Sequence, residues 1–406
     1  MNSNKRKKLL LFSLAAETFL ASYGLLLGEQ ASIVSILYIV ASGIFIISVL
    51  LIGPAELPLF RDIKKEIFWK LPLLALIILM AVFITRYWLF KIPLDPDFAD
   101  MLPVIKVMNE RFLHGDWQVI YDPIPAIWNG IHPIYLPAMW LPYAPAVLLK
   151  VDVRWVTAIS LVFSFSSIII LIRGKKNGIY GWGQIAITIF LFWWVFARND
   201  VHGIVSMSEE GIVILYFVLL TLAIISGNAL FMAVAASCCL LSRYSMIGWL
   251  IPCVIFLAFR RDYRRLVVFC VTGTICFLLF FLLPFGFRVL DQTIALPSSY
   301  VAFAKHVWEF SPEVYWLNLG VAKFYGVHGM EFLHTSLLVL TFAVPLLFMC
   351  FCILQQKWKL YNINLACFKL SLLIFYQFID VPYGYLFYTS SFVSLVISAC
   401  LLKVGA

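Results

Sequence analysis

ASIVSILYIVASGIFIISVLLI, residues 31–52, contains no charged side chain along its whole length. The hydrocarbon core of a bilayer is about 30 Å thick, and about 20 apolar residues in an α-helix cross it. This stretch is therefore long enough and apolar enough to span a membrane. The chain as a whole has the same character, since 63% of its 406 residues are hydrophobic and only 13% are charged. That composition excludes a soluble enzyme, a disordered chain and a nucleic-acid-binding domain.

Similar apolar runs predict an all-α, polytopic transmembrane bundle that forms one domain over residues 1–406. A helix satisfies all of its backbone polar groups within one segment, so helices are expected wherever the chain crosses lipid. The predicted spans, about twelve in number, are 9–27, 31–52, 71–90, 155–172, 181–197, 204–226, 228–242, 246–259, 265–287, 333–354, 363–379 and 384–402.

The charged residues predict which connections face outward. Short basic clusters such as 5–8 and 260–265 fall between spans on one side, which the positive-inside rule assigns to the cytoplasm. Two long connections, 91–154 and 288–332, are then predicted to be outer loops. Four prolines make 133–149 a poor continuous helix, so we expect a re-entrant or interfacial segment with short helices there.

The stretch Asp95-Pro96-Asp97-Phe98-Ala99-Asp100 directly follows the third predicted span. Pro96 favours an extended Asp95, so a helix is expected to begin near Asp97 or Phe98, with Asp97 as its N-cap and Asp100 in its first turn. The same carboxylates could serve as a general base towards a bound hydroxyl, or Asp95 and Asp97 could hold Mg²⁺ or Mn²⁺. Spacing alone favours the capping interpretation for any single one of these acids.

Three motifs follow one another here: the acidic pair Asp95 and Asp97, then Gly115-Asp116-Trp117, then Tyr135-Leu136-Pro137. Their order resembles the first extracytoplasmic loop of GT-C glycosyltransferases, in particular the aminoarabinose and protein-mannosyl transferases. These integral-membrane enzymes move a sugar from a polyprenyl-phosphate carrier to an acceptor. In that family the acidic loop usually follows the first span, whereas two additional spans precede it here.

The resemblance implies a GT-C-type bundle and a transfer with inversion at the anomeric carbon. The donor would be a lipid-linked sugar, mannose or another hexose, and the acceptor a glycan, lipid or protein. The site would lie on the periplasmic face of a bacterial cytoplasmic membrane. Asp95 or Asp97 would be the catalytic base; we favour Asp95, because Pro96 holds it near the membrane plane, and assign Asp97 as cap or second carboxylate.

Further polar residues recur where the predicted spans reach the outer side. Arg243 is predicted to bind the donor phosphate, because a leaving phosphate needs a cation away from bulk water. The other candidates for phosphate binding are Arg198, Lys305 and His306. The residues predicted to bind substrate are Asp100, His132, Tyr135, His202, Glu209, Glu210, Tyr383 and Tyr385, and Asp380 lies just before the last two. Alternatively, Arg243 forms an internal ion pair with Glu209 or Glu210.

Two other functions remain open from the sequence: a transporter or a lipid or polysaccharide flippase, and a polysaccharide polymerase or ligase. A transporter should place its charges near the bilayer midplane, whereas most of those above lie near one side. The predicted partners are the lipid-linked donor, the acceptor and membrane lipids, with no nucleic acid. No cofactor is certain, and a divalent cation, Mg²⁺ or Mn²⁺, is the one candidate.

Overall fold

A computed structural model describes residues 3–23, 31–57, 60–96, 99–127, 130–173, 178–198, 203–355 and 360–402. Over these residues the chain is built from helices. An isolated bridge between Ile124 and Ile131 is the only β-type pairing found within them. The prediction of an all-α fold is confirmed.

The helices, numbered in chain order, are α1 (Ser3–Tyr23), α2 (Ala31–Leu51), α3 (Phe60–Lys91), α4 (Met101–His114), α5 (Pro137–Trp140), α6 (Ala144–Leu148), α7 (Arg154–Leu171), α8 (Ile179–Ala197), α9 (Ile204–Met207), α10 (Glu210–Ser226), α11 (Ala229–Leu240), α12 (Ile247–Phe259), α13 (Tyr263–Phe277), α14 (Leu283–Phe310), α15 (Glu313–Trp316), α16 (Met330–Leu354), α17 (Ile363–Phe378) and α18 (Tyr388–Leu401). A π-helical turn, Leu278–Leu282, joins α13 to α14.

Seven helical segments are long and apolar enough to cross a membrane: Ala31–Leu51, Ile67–Lys91, Arg154–Leu171, Ile179–Ala197, Tyr263–Phe287, Val327–Leu354 and Gly384–Leu401. Shorter apolar helices are Glu210–Ser226, Ala229–Leu240, Tyr244–Phe259 and Ile363–Phe378. These lengths and compositions are those of a helical membrane protein, as the sequence predicted. The count of about twelve spans stays a prediction.

Helix α18 lies at the centre of the bundle. Its residues are buried from Tyr388 to Leu401, and it packs against α1, α7, α8, α10 and α17. Lipid-facing helices show the opposite pattern, since Phe83 and Phe90 on α3 are exposed on the protein surface. Exposed apolar side chains of this kind suit contact with hydrocarbon rather than water.

The two predicted outer loops fold differently from each other. Residues 133–149 form the short helices α5 and α6 with a 3-10 turn between them, as their prolines predicted. The first part of the predicted loop 288–332 is helical, because α14 continues to Phe310, beyond the apolar span that ends at Phe287. Hydropathy falls after Phe287, but a helix needs only internal hydrogen bonds and not an apolar sequence. The backbone leaves helical geometry at Gly286, where φ is 73°.

Close helix packing depends on two glycines. A Cβ at Gly248 of α12 would collide with the carbonyl oxygen of Thr341 on α16, and one at Gly211 of α10 would collide with that of Thr157 on α7. Because glycine has no Cβ, the backbones of these helix pairs can come into direct contact, as small residues allow in membrane bundles.

We predict that Gly248→Ala lowers the free energy of unfolding by about 1–3 kcal/mol, because the helices must separate to admit the methyl group. Gly273→Ala in α13 is the matched control, since a Cβ there would have no atom of the described residues within 4 Å. It should be neutral or stabilise by up to about 1 kcal/mol, the cost of glycine in a helix. Thermal unfolding in detergent checks both; equal effects at the two positions would contradict the packing argument.

Candidate active site at one end of the bundle

Long-range hydrogen bonds define the two ends of the bundle. At one end, Arg154 at the start of α7 donates to the carbonyl of Ile92 beyond α3, at 2.6 Å. At the other end, Lys70 in α3 donates to the carbonyl of Ile170 near the end of α7, at 2.9 Å. All of the polar groups described next lie at the first of these ends.

An ion-paired triad links α10 to the connection between α11 and α12. Nη2 of Arg243 lies 2.8 Å from Oε1 of Glu209 and 3.0 Å from Oε2 of Glu210, and both carboxylates are buried. Thr389 at the start of α18 donates a hydrogen bond of 2.6 Å to Glu210. Glu209 and Glu210 begin α10, where the helix dipole stabilises negative charge. The structure thus shows the internal ion pair that the sequence offered as the alternative role for Arg243.

Asp100 approaches this triad from the connection between α3 and α4. Burial and, to a smaller extent, the negative charge of Glu209 raise the pKa of Asp100 to about 6. Burial is also the main cause of a raised pKa at the Tyr135 phenol. The negative charges of Asp100 and Glu209 raise that pKa as well. Asp100 is the residue before α4 and makes no side-chain capping hydrogen bond. The predicted helix start near Asp97 is therefore wrong, because α4 begins at Met101, and Asp97 itself lies outside the described residues.

Tyrosines from three separate segments complete this part of the site. The rings of Tyr383 and Tyr385 are stacked, with centroids 5.7 Å apart and planes 7° apart. Tyr244 forms a side-chain hydrogen bond with Tyr300 of α14. Burial raises the pKa of Tyr300, whereas the positive charge of Arg243 lowers it and the negative charge of Asp380 raises it. Tyr300 therefore lies close to both Arg243 and Asp380.

A histidine–aspartate pair stands beside Tyr300. Nδ1 of His334, near the start of α16, lies 2.7 Å from Oδ2 of Asp380 in the connection between α17 and α18. Asp380 is 5% exposed, and burial raises its pKa while the hydrogen bond from His334 lowers it. We call the whole set the polar cluster: Asp100, Tyr135, Glu209, Glu210, Arg243, Tyr244, Tyr300, His334, Asp380, Tyr383 and Tyr385.

Several polar atoms of the cluster are buried without a hydrogen-bond partner among the described residues. They are Oε2 of Glu209, Nε of Arg243, Nε2 of His334 and Oδ1 of Asp380. Leaving a buried polar atom unpaired costs about 1–3 kcal/mol, so such atoms usually meet a ligand or water. Unpaired polar atoms also occur elsewhere in the bundle, but those of the cluster belong to charged or titratable side chains, which are the groups that bind polar ligands.

The other predicted site residues have different surroundings or lie outside the described residues. Arg198 is exposed and stacks over Trp194 at 4.7 Å, and Lys305 pairs with Glu331 at 2.8 Å on the surface. His306 packs against Phe310. His132 is exposed, Asp95 is half-buried before α4, and His202 is not among the described residues.

Sequence reasoning missed His334, Tyr244 and Tyr300 as site residues. His334 falls inside a long apolar run, and its partner Asp380 lies 46 residues further along the chain. No local spacing indicates such a pair. A lone histidine in an apolar predicted span was the available signal, because ionisable groups at membrane depth are costly.

A second buried polar group lies deeper in the bundle. Lys369 of α17 pairs with Glu17 of α1, and both side chains are fully buried. Ser394 and Ser390 of α18 donate hydrogen bonds to Glu17 at 3.0 Å and 3.2 Å, and Tyr38 of α2 lies 3.4 Å away. This carboxylate is therefore satisfied by the protein itself.

Metal binding finds no support in the described residues. Within them, no three His, Cys, Asp or Glu side chains are grouped so as to hold a metal ion. The predicted cation site at Asp95 and Asp97 stays a prediction, since Asp97 lies outside these residues.

Asp100→Asn is expected to stabilise the protein at pH 7 by about 1 kcal/mol, because it removes a partly buried negative charge beside Glu209. A carboxyl group whose pKa is raised on folding favours the folded state at low pH, and that advantage is lost as pH rises through its folded pKa of about 6. The gain in melting temperature over wild type should therefore shrink towards zero as pH falls below 4. Melting curves across pH check this, with the exposed Asp116→Asn as control; a destabilised Asp100→Asn variant would contradict it.

Comparison with known proteins adds no family to these observations: the chain matches no protein-family model and no curated protein.

Proposed function

We propose that the protein is a membrane glycosyltransferase that moves a sugar, mannose or another hexose, from a polyprenyl-phosphate carrier to a glycan, lipid or protein acceptor. The observation that carries the proposal is the polar cluster. Carboxylates, phenols, an arginine and a histidine from widely separated segments meet at one end of an apolar helical bundle. A lipid-linked donor requires such a place, where an apolar chain and a charged head group are accommodated together. The resemblance of the first loop to GT-C enzymes supports the same function.

The acidic side of the cluster suits the sugar. Positive charge develops at the anomeric carbon as its bond to phosphate breaks, and nearby carboxylates stabilise that charge. Glu209 and Glu210, at the start of α10, provide such carboxylates. The stacked Tyr383 and Tyr385 offer an aromatic face and two hydroxyl groups to a sugar ring.

Asp100 is the described carboxylate best suited to accept the proton. With a pKa of about 6, it is ionised at neutral pH yet basic enough to receive a proton. The acceptor oxygen attacks the anomeric carbon and its proton passes to Asp100, while the phosphate leaves with the electron pair of the broken C–O bond. The sequence-based assignment of Asp95 or Asp97 as base stays a prediction, which the same set of variants tests.

Arg243 is the proposed phosphate contact through its Nε–H group, because its Nη2 already holds the two glutamates. A sugar-loaded phosphodiester carries one negative charge, whereas the released phosphate monoester carries up to two. The carboxylates nearby repel the product more strongly than the donor. This difference favours release of the carrier lipid after transfer.

The membrane arrangement that fits this function is a GT-C-type bundle of about twelve spans with the polar cluster on the outer, periplasmic side. The distribution of basic residues supports this orientation, since the clusters at 5–8 and 260–265 belong to the opposite end. The 91–154 loop would then cover the site from outside, with α4 and the proline-rich helices α5 and α6 at the membrane surface.

The test is sugar transfer by the purified full-length chain in proteoliposomes. Polyprenyl-phosphate mannose and polyprenyl-phosphate glucose, radiolabelled in the sugar, are offered with lipid and glycan acceptors. Release of carrier phosphate together with formation of a labelled product is expected for one donor. The exposed Glu313→Gln on α15 is the activity control. If neither the wild type nor this control cleaves either donor, the proposed reaction is wrong.

A transporter or flippase is the second candidate, favoured by one observation. Glu17 and Lys369 form a buried charged pair within the bundle, as a substrate path near the midplane would. Satisfaction of Glu17 by three hydroxyl groups instead favours a fixed structural pair. Lipid movement without sugar transfer in the proteoliposomes would support the transporter.

A further inference from the structure

His334 and Asp380 form a hydrogen-bonded pair, with Nδ1 of His334 2.7 Å from Oδ2 of Asp380. We assign the hydrogen to Nδ1 of a neutral His334, because an ionised carboxylate can only accept. Nε2 is then left with a lone pair and can only accept. The second carboxylate oxygen, Oδ1 of Asp380, is also an acceptor. The pair therefore presents two acceptor atoms and no donor.

Both acceptor atoms are buried, and neither has a hydrogen-bond partner among the described residues. The side chains are 13% and 7% exposed, so bulk water does not fully solvate them. An unsatisfied buried acceptor costs about 1–3 kcal/mol, so such atoms usually meet a ligand or water. The arrangement calls for a ligand that donates two hydrogen bonds.

The surroundings restrict the chemistry of that ligand. An anion would be repelled by the Asp380 carboxylate, whose charge also reaches Tyr300 and Tyr315. The described residues group no third metal-binding side chain here. Phenols line the neighbourhood, from Tyr300 to the stacked Tyr383. A ligand with neutral hydroxyl groups can donate hydrogen bonds to both unpaired acceptor atoms and pack against the neighbouring aromatic rings.

We propose that His334 and Asp380 bind two hydroxyl groups of a carbohydrate ligand, with Nε2 of His334 and Oδ1 of Asp380 as the acceptors. This inference rests on the proposed function. It adds a second part of the site, separate from Asp100, that recognises sugar hydroxyl groups. It assigns no chemical step to the pair. The pair selects a polyhydroxylated ligand over an apolar alcohol of similar size.

The variants separate the two ring nitrogens. His334→Asn places an amide near the position of Nδ1, so it can keep the hydrogen bond to Asp380 while removing the acceptor at Nε2. His334→Gln reaches the position of Nε2 and can present an acceptor there. Thr335→Ala is the control, because Thr335 is the next residue on α16, is exposed, and donates a hydrogen bond of 2.9 Å to Glu331 of its own helix.

The measurement is binding of octyl mannoside to the full chain in lipid nanodiscs, followed by nitrogen NMR of histidine-labelled protein. Octanol is the comparison ligand. The His334 signals, assigned from their absence in His334→Asn, should show hydrogen on Nδ1, and the Nε2 signal should move on addition of octyl mannoside only. His334→Asn should weaken mannoside binding about tenfold, with His334→Gln intermediate and Thr335→Ala unchanged.

Three results would overturn the inference: hydrogen on Nε2 in the free protein, equal response to octanol, or mannoside affinity in His334→Asn equal to that of wild type. The last would mean that water alone satisfies the pair. These outcomes are independent of the proposed reaction. If the protein transfers sugar but His334 has no role in binding, only this inference is wrong. If mannoside binds through His334 but no sugar is transferred, only the proposed reaction is wrong.

Discussion

Arg243→Ala should lower the free energy of unfolding by about 3–5 kcal/mol, enough to unfold much of the protein at physiological temperature. The substitution leaves Glu209 and Glu210 buried at 1% and 0% exposure without their counter-charge. Removing one partner of a buried ion pair costs far more than replacing the whole pair by neutral groups. Thermal unfolding in detergent measures the loss.

A neutral version of the triad separates its structural role from phosphate binding. Arg243→Met combined with Glu209→Gln and Glu210→Gln should recover most of the lost stability, while sugar transfer remains absent. Arg243→Lys should keep partial stability and activity, because one ammonium group can meet both carboxylates without the planar geometry of guanidinium. A stable and active Arg243→Ala variant would contradict both roles.

Asp100→Asn is expected to lower the rate of sugar transfer by about a hundredfold or more with donor binding largely kept. Asparagine preserves the shape of the side chain and removes its ability to accept a proton. Together with the expected gain in stability, this gives a combination that a structural carboxylate would not show. In wild type the rate should fall below pH 6, because protonation of Asp100 removes the base.

The base can be identified by measuring steady-state rates and melting temperatures side by side for three variants: Asp95→Asn, Asp97→Asn and Asp100→Asn. The account predicts the largest rate loss at Asp100. A dead but well-folded Asp95→Asn with an active Asp100→Asn would return the role to the residue that the sequence favoured. If all three stay active, these acids are structural and the proposed function loses its main support.

The membrane-embedded helical fold follows from residues that sequence reasoning handles well. Runs such as 31–52 are long enough and apolar enough to need no tertiary information, and they agree with helix α2 within a residue or two. Glu209, Glu210 and Arg243 were found for a related reason. A charge that interrupts an apolar run is costly, so it indicates either a partner or a ligand.

The parts that sequence reasoning could not reach depend on tertiary contacts. His334 and Asp380 meet because α16 and α17 run side by side, and nothing within ten residues of either indicates the other. The start of α4 at Met101 and the extension of α14 to Phe310 show the limit of local signals. Capping residues and hydropathy place such boundaries only within a few residues, or fail where a helix leaves the apolar region.

The central claim is that the polar cluster binds a lipid-linked sugar, and an electron cryomicroscopy structure with a polyprenyl-phosphate sugar bound tests it most directly. The account predicts the phosphate against Nε of Arg243, the sugar ring over Tyr383 and Tyr385, and the carrier chain leading from the cluster into the membrane. A head group bound at the opposite end of the bundle, near Arg260 and Arg265, with the polar cluster free of ligand, would contradict the account.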